Sequence, residues 1–80
     1  MKSEAINFTK RKAKSFMVAF AKASNAEKMY LKNAQKLAEI ADQKFEAWQE
    51  AASECSQDEI KWLMENDANM AGEFYADLII

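Results

Sequence analysis

Four carboxylates in the second half of the chain are spaced to share one helical face, and two more extend the row past a predicted turn. In a helix, residues four apart are neighbours on the surface, so their charges form a row. Such a row attracts the basic grooves that bind nucleic acid phosphates, and it can act as a decoy for them. The ordinary alternative is a solvated acidic face. The residues are Asp42, Glu46, Glu50 and Glu54, followed by Asp58 and Glu59.

Metal binding is the other chemistry that a row of carboxylates can support. Helical bundles build di-metal sites from inward-facing glutamates, and those sites include Glu-x-x-His pairs. This chain has no histidine, and its carboxylates fall on the polar face of the predicted helix. We therefore expect neither a metal nor any other cofactor.

A basic cluster near the N-terminus indicates a different partner. It lies among Phe8, Phe16 and Phe20, and a basic amphipathic helix of this kind can bind nucleic acid, an anionic membrane or a partner helix. A solvated bundle face is the alternative, and the net charge of −2 disfavours a membrane. The cations that could contact nucleic acid or another anion are Lys10, Arg11, Lys12 and Lys14, with Lys28, Lys32 and Lys36 further along the chain.

Trp62 is predicted to lie opposite the apolar stripe of its helix, on a face shared with Asn69 and Glu73. A tryptophan ringed by polar groups is typical of an interface anchor. Phe8 and Val18 also fall outside their stripe and could extend such a surface. The alternatives are that this helix packs on two sides or that Trp62 lies against a turn.

Asp67 falls on the apolar stripe of the same helix. A lone buried carboxylate is costly, so we expect it to be paired with a hydroxyl or a lysine. Tyr30 and Lys44 lie near the apolar arc of the second helix and are the predicted partners. A structural pair is favoured over a catalytic acid, since no nucleophile or second acid accompanies it.

The composition argues against enzymatic function. The chain has no histidine, one cysteine and one glycine. It therefore lacks the commonest general base, a thiolate metal set and a glycine-rich phosphate loop. Cys55 is predicted to be a core residue, and a free thiol fits a reducing compartment such as the cytoplasm.

The elements that must position these residues are all helical. The 80 residues include no proline, and abundant Ala, Lys, Glu, Gln and Met favour helix throughout. Two Ser-x-x-Glu sequences, at Ser24 and Ser56, read as capping boxes that begin new helices. We therefore predict one domain, 1–80, with helices at about 4–23, 25–54 and 57–78. No apolar run is long enough to span a membrane.

The apolar arc of the predicted second helix is wide enough to contact two neighbours. The predicted fold is therefore all-α: a small three-helix bundle, or a long helical hairpin with one extra helix. An alanine-rich core in so short a chain gives marginal stability, because small domains bury little surface. We expect a homo-oligomer, most simply a homodimer.

The charges are segregated along the chain. Residues 1–44 carry ten basic and four acidic groups, whereas residues 45–80 carry one basic and nine acidic groups. Three interpretations follow: neutralisation within one molecule, antiparallel self-association, or docking of one patch on a charged partner.

These features favour a non-enzymatic interaction protein. In the leading hypothesis its acidic half, anchored by Trp62, docks on the basic groove of a larger, nucleic-acid-handling protein as an inhibitor or decoy. The alternative is a small nucleic-acid-binding protein that uses the basic N-terminal helix. A structural homo-oligomer is a further alternative.

Overall fold

The computed structural model describes residues 3–79, which form helices joined by short turns, with no strand in that range. The prediction of an all-α protein is confirmed. The helices are α1 (Glu4–Lys28), α2 (Ala34–Ser53), α3 (Gln57–Asn66) and α4 (Gly72–Ala76).

Helices α1 and α2 run antiparallel and are joined by residues 29–33. Thr9, near the start of α1, has its Oγ1 atom 3.3 Å from the Cys55 sulfur just beyond α2. Helices α3 and α4 pack at this end, where the Ser3 hydroxyl donates to Glu59 Oε2 over 2.6 Å. The molecule is consequently elongated, with extents of 42 × 21 × 17 Å.

The predicted break at Ser24 was wrong. Helix α1 continues through Ser24 to Lys28, and the chain turns at residues 29–33 instead. The reason lies in packing: Ala23 and Ala26 are buried, so the continued helix covers apolar surface that a break would expose. Ser and Glu are also tolerated inside helices, so a Ser-x-x-Glu sequence does not by itself require a helix start.

The predicted helix 57–78 is interrupted. Helix α3 ends at Asn66, and Asp67 has extended backbone angles (φ −81°, ψ 113°). The Asp67 carboxylate accepts the backbone N–H of Asn69 over 2.9 Å, as in an Asx-turn, which offers the chain an alternative to helix. Gly72 then begins α4, where a side-chain Cβ would lie 3.1 Å from the Met64 carbonyl oxygen of α3.

An aromatic cluster forms the core at the end where all four helices meet. The Trp48 ring lies 5.2 Å from Tyr75 and 5.4 Å from Phe45, centroid to centroid. Phe45 in turn lies 5.1 Å from Phe16 of α1 and 5.8 Å from Phe74 of α4. Fully buried aliphatic side chains complete this core: Ile6, Ile60 and Leu63.

The capping box predicted at Ser56 is confirmed. Ser56 Oγ accepts the Glu59 N–H over 3.2 Å, and Glu59 Oε1 accepts the Ser56 N–H over 2.9 Å. The other Glu59 oxygen accepts from Ser3, which also caps α1 by accepting the Ile6 N–H. Two helix N-termini are thus linked through one carboxylate.

Replacing each serine of the two Ser-x-x-Glu sequences by alanine tests these helix boundaries. Ser56→Ala removes an N-cap and is expected to lower the free energy of unfolding by about 1 kcal/mol. Ser24→Ala lies inside α1, where alanine is the better helix former, so a change within about 0.5 kcal/mol is expected. Urea denaturation followed by circular dichroism measures both. A loss at Ser24 as large as that at Ser56 would contradict a continuous α1.

Candidate interaction surfaces

The acidic row on α2 is solvent-exposed along its whole length. Asp42, Glu46, Glu50 and Glu54 are all exposed. Each four-residue step turns the row by about 40° around the helix. The row therefore turns by about 120° from Asp42 to Glu54. Its last two members, Glu50 and Glu54, line a depression with Phe8 and Lys12 of α1.

Asp58 and Glu59, predicted to extend this row, have different surroundings. Asp58 is exposed in the first turn of α3. Both oxygens of Glu59 accept hydrogen bonds in the capping arrangement, and the donating Ser3 hydroxyl and Ser56 N–H hold the pKa of Glu59 below its usual value. Glu59 therefore supports the helix ends, which leaves it less available to a partner than the carboxylates of α2.

The predicted basic cluster is divided by the fold. Lys10 Nζ lies 5.7 Å from the Trp62 ring centroid, and Lys12 Nζ lies 5.1 Å from that of Phe8. Such cation–π contacts hold these two ammonium groups against the protein surface. Lys28 and Lys32 are exposed near the turn between α1 and α2, at the opposite end of the hairpin.

The face predicted for Trp62, Asn69 and Glu73 assumed one continuous helix, and that assumption was wrong. Trp62 lies on α3, half-buried against the core and covered by Lys10. Asn69 lies in the segment between the helices and its side-chain amide donates to Asp67 Oδ1 over 3.2 Å. Glu73 is exposed on α4. Their part in binding stays a prediction, without the shared helical face that suggested it.

Asp67 is buried, and its partner is a hydroxyl, as expected, but a different one. The Tyr75 hydroxyl donates to Asp67 Oδ2 and accepts the Trp48 Nε1–H over 3.3 Å. The predicted partners lie elsewhere: Tyr30 is 93% exposed in the turn, and Lys44 is exposed on α2. Burial and the bond to Asp67 raise the pKa of Tyr75 well above its usual value.

Cys55 packs against the core, as predicted, and lies within hydrogen-bond reach of Thr9. Burial raises the pKa of its thiol, with Glu59 and Glu54 adding to the effect, whereas the Thr9 hydrogen bond opposes it. A raised pKa disfavours the thiolate, which is the reactive form of cysteine.

A cationic groove between α1 and α2 is the surface that sequence reasoning missed. It has a volume of about 650 Å³, and its floor is apolar. Val18 and Ile40 are the most exposed of its apolar residues, at 48% and 36%. Its lining comprises the cations Arg11, Lys14, Lys22 and Lys44 together with Ser15, Val18, Ala19, Leu37 and Ile40.

The groove requires residues from two helices in a specific register, which no single-helix pattern reveals. Val18 was a partial signal, because its position outside the apolar stripe of α1 indicated a second apolar surface. That surface lies against α2 and is separate from Trp62.

No protein family model, curated protein or solved structure matches this chain. Within residues 3–79, no group of three or more Cys, Asp or Glu side chains is placed to hold a metal ion. None of the helices described there is both long and apolar enough to cross a membrane.

Proposed function

We propose that this chain is a non-enzymatic interaction protein that docks the acidic face of α2 on a basic, nucleic-acid-binding groove of a larger protein. The observation that carries the proposal is the exposure of four carboxylates at regular spacing on one helix. A step of four residues advances about 6 Å along the axis, so the charges form an evenly spaced, rigid row.

The opposite side of α2 holds this face in place. Ala41, Trp48 and Ala52 are buried there, at 3%, 1% and 1% exposure. Because the apolar side of the helix is fixed in the core, the backbone that carries the acidic residues is already ordered. Binding therefore loses little backbone conformational entropy, which favours affinity. The acidic residues can be replaced without disturbing these core contacts.

Charge reversal on the outer part of the row tests the proposal. Asp42→Lys with Glu46→Lys is expected to weaken partner capture at least tenfold, because like charges then face the basic groove. The matched control is Glu65→Lys with Asp77→Lys, which makes the same charge change at exposed positions, on α3 and at the C-cap of α4. The control is expected to retain capture, and both variants to retain their circular dichroism.

The measurement is affinity capture from cell extract with immobilised protein, followed by titration of the purified captured protein. That protein is expected to lose affinity for duplex DNA when the wild-type chain is added. Unchanged DNA affinity, or equal capture by both charge-reversed variants, would contradict the decoy mechanism.

A second candidate function, binding of single-stranded nucleic acid, is favoured by the turn between α1 and α2. Tyr30 is 93% exposed there and has a positive φ of 53°, which is rare for a bulky residue. Lys28 and Lys32 flank it, and aromatic rings beside cations are typical of single-strand binding surfaces. Binding of labelled single-stranded DNA at about 50 mM salt that is lost at about 200 mM would support this function. The Tyr30→Ala substitution is expected to weaken this binding of single-stranded DNA as well.

A further inference from the structure

The cationic groove belongs to a larger continuous surface. It shares Arg11 with a second depression that contains Glu4 and Phe8. This second depression shares Phe8 and Glu54 with a third, which also contains Glu50. Every described residue that lines one of the three depressions lies on α1, on α2 or at Glu54, the C-cap of α2. We call this surface the open face.

The two ends of the open face carry opposite charge. One end is the cationic groove, with four basic side chains around an apolar floor. Among the described residues, the other end contains three carboxylates, Glu4, Glu50 and Glu54, against one cation of its own, Lys12, and it shares Arg11 with the groove. The two ends follow one another along the hairpin because α1 and α2 are antiparallel.

The open face also exposes apolar side chains at both ends. Phe8 is 41% exposed at the acidic end, and Val18 is 48% exposed at the cationic end. Apolar groups on a charged, otherwise polar surface are typical of places where another protein binds.

The elongated chain exposes more area than a compact monomer of its mass. The chain of 9.1 kDa exposes 5670 Å², whereas a folded monomer of that mass exposes about 4,900 Å². The difference, about 800 Å², is close to the area that each partner buries in a standard protein interface.

We propose that the open face binds the open face of a second copy of this chain in antiparallel orientation. A two-fold axis then places the acidic end of each copy over the cationic groove of the other, so both ends are neutralised at once. Phe8 of each copy enters the groove between Val18 and Ile40 of the other. The two hairpins together form a four-helix bundle.

A second copy explains the surface better than an unrelated acidic helix does. An acidic helix would neutralise the cationic groove and leave Glu4, Glu50 and Glu54 facing more negative charge. The dimer also leaves the outer part of the acidic row free, since Asp42 lies about 160° around α2 from Lys44. Each dimer therefore presents two acidic faces. A partner with two or more basic grooves can bind both faces at once, which strengthens binding through avidity.

A charge-swap experiment tests the dimer. One variant carries Glu50→Lys and Glu54→Lys, and the other carries Lys14→Glu, Lys22→Glu and Lys44→Glu, which leaves Arg11 as the one cation among the described residues that line the groove. Each is expected to dimerise about a hundredfold more weakly than wild type, because both contacts of its homodimer become repulsive. An equimolar mixture is expected to restore the dimer, since both contacts are then attractive again.

Light scattering coupled to size exclusion, with sedimentation equilibrium, gives the mass at each concentration. Wild type and the mixture are expected at twice 9.1 kDa, and each variant alone at 9.1 kDa. Restoration by mixing also shows that the variants are folded.

The apolar part of the open face has its own control pair. Val18→Lys is expected to give monomers, whereas Met17→Lys, at a neighbouring position of similar exposure outside the groove, is expected to retain the dimer. The proposal is overturned if wild type is monomeric up to about 1 mM, the Kd of a marginal complex. It is also overturned if each charge-swap variant dimerises alone, or if the mixture stays monomeric.

Discussion

Truncation of Trp48 to alanine is expected to remove about 4 kcal/mol from the free energy of unfolding. Trp48 is 1% exposed and is among the largest fully buried side chains. Its ring contacts Phe45, Phe74 and Tyr75, which come from α2 and α4. A chain of 80 residues has a total stability of about 4–12 kcal/mol, so this loss is between a third and the whole of it.

Trp62→Ala is the matched control for this prediction. Trp62 is half-buried and its ring is covered by the Lys10 ammonium group rather than by a second layer of core residues. Its removal is expected to cost about 1–2 kcal/mol, from a partial loss of buried area and one cation–π contact. Urea denaturation followed by circular dichroism compares the two variants with wild type. Equal losses would show that the aromatic cluster around Trp48 is not the centre of the core.

The different environments of the two tryptophans were partly visible in the sequence. Trp48 lies on the long apolar stripe of α2, whereas Trp62, predicted to lie opposite the stripe of its helix, is half-buried against the core. What the spacing did not reveal was the covering of Trp62 by a lysine of α1. That contact depends on how α1 and α3 pack, which is a tertiary property.

The positions of helix ends also depend on tertiary packing that the local sequence does not reveal. The capping boxes at Ser24 and Ser56 have the same residue types at the same spacing, yet only the box at Ser56 begins a helix. At Ser24 the burial of Ala23 and Ala26 outweighs the capping preference. Capping contributes about 1 kcal/mol, so the burial of two small side chains and an unbroken helix can override it.

The acidic face could be recognised from spacing alone because it lies on one helix. The cationic groove could not, because its cations come from α1 and α2 and meet only in the antiparallel register of the hairpin. The interruption of the predicted helix at Asp67 could have been predicted from nearby residues, but the high helix propensity of the rest of the segment favoured a continuous helix. Asn66, Asp67 and Asn69 form a cluster of turn-forming residues, and Asp67 makes its Asx-turn there.

Tyr75→Phe is expected to lower the free energy of unfolding by about 2 kcal/mol at neutral pH. The substitution keeps the ring and its packing but removes the hydroxyl that links Asp67 to Trp48. The buried Asp67 Oδ2 and Trp48 Nε1–H then lose this shared partner, and an unsatisfied buried group costs about 1–3 kcal/mol. Tyr30→Phe, at a residue 93% exposed, is the matched control and is expected to change stability by less than about 0.5 kcal/mol.

The same hydroxyl makes the stability pH-dependent on the alkaline side. Burial and the Asp67 hydrogen bond raise the pKa of Tyr75 above its usual value of 10.0, so the folded state retains the proton that the unfolded chain releases. The stabilisation from this group is therefore fully present below about pH 10 and is lost as the pH rises through the folded-state pKa.

Denaturation at about pH 8, 10 and 11 measures this loss. Wild type is expected to lose stability above pH 10 with an added slope approaching 1.36 kcal/mol per pH unit, the value for one proton. Tyr75→Phe lacks that proton, so its curve is flatter and the gap between the two proteins narrows as the pH rises. Tyr30→Phe is expected to follow wild type across the range. A gap that stays constant from pH 8 to 11 would show that Tyr75 ionises equally in both states and that its bond to Asp67 contributes little.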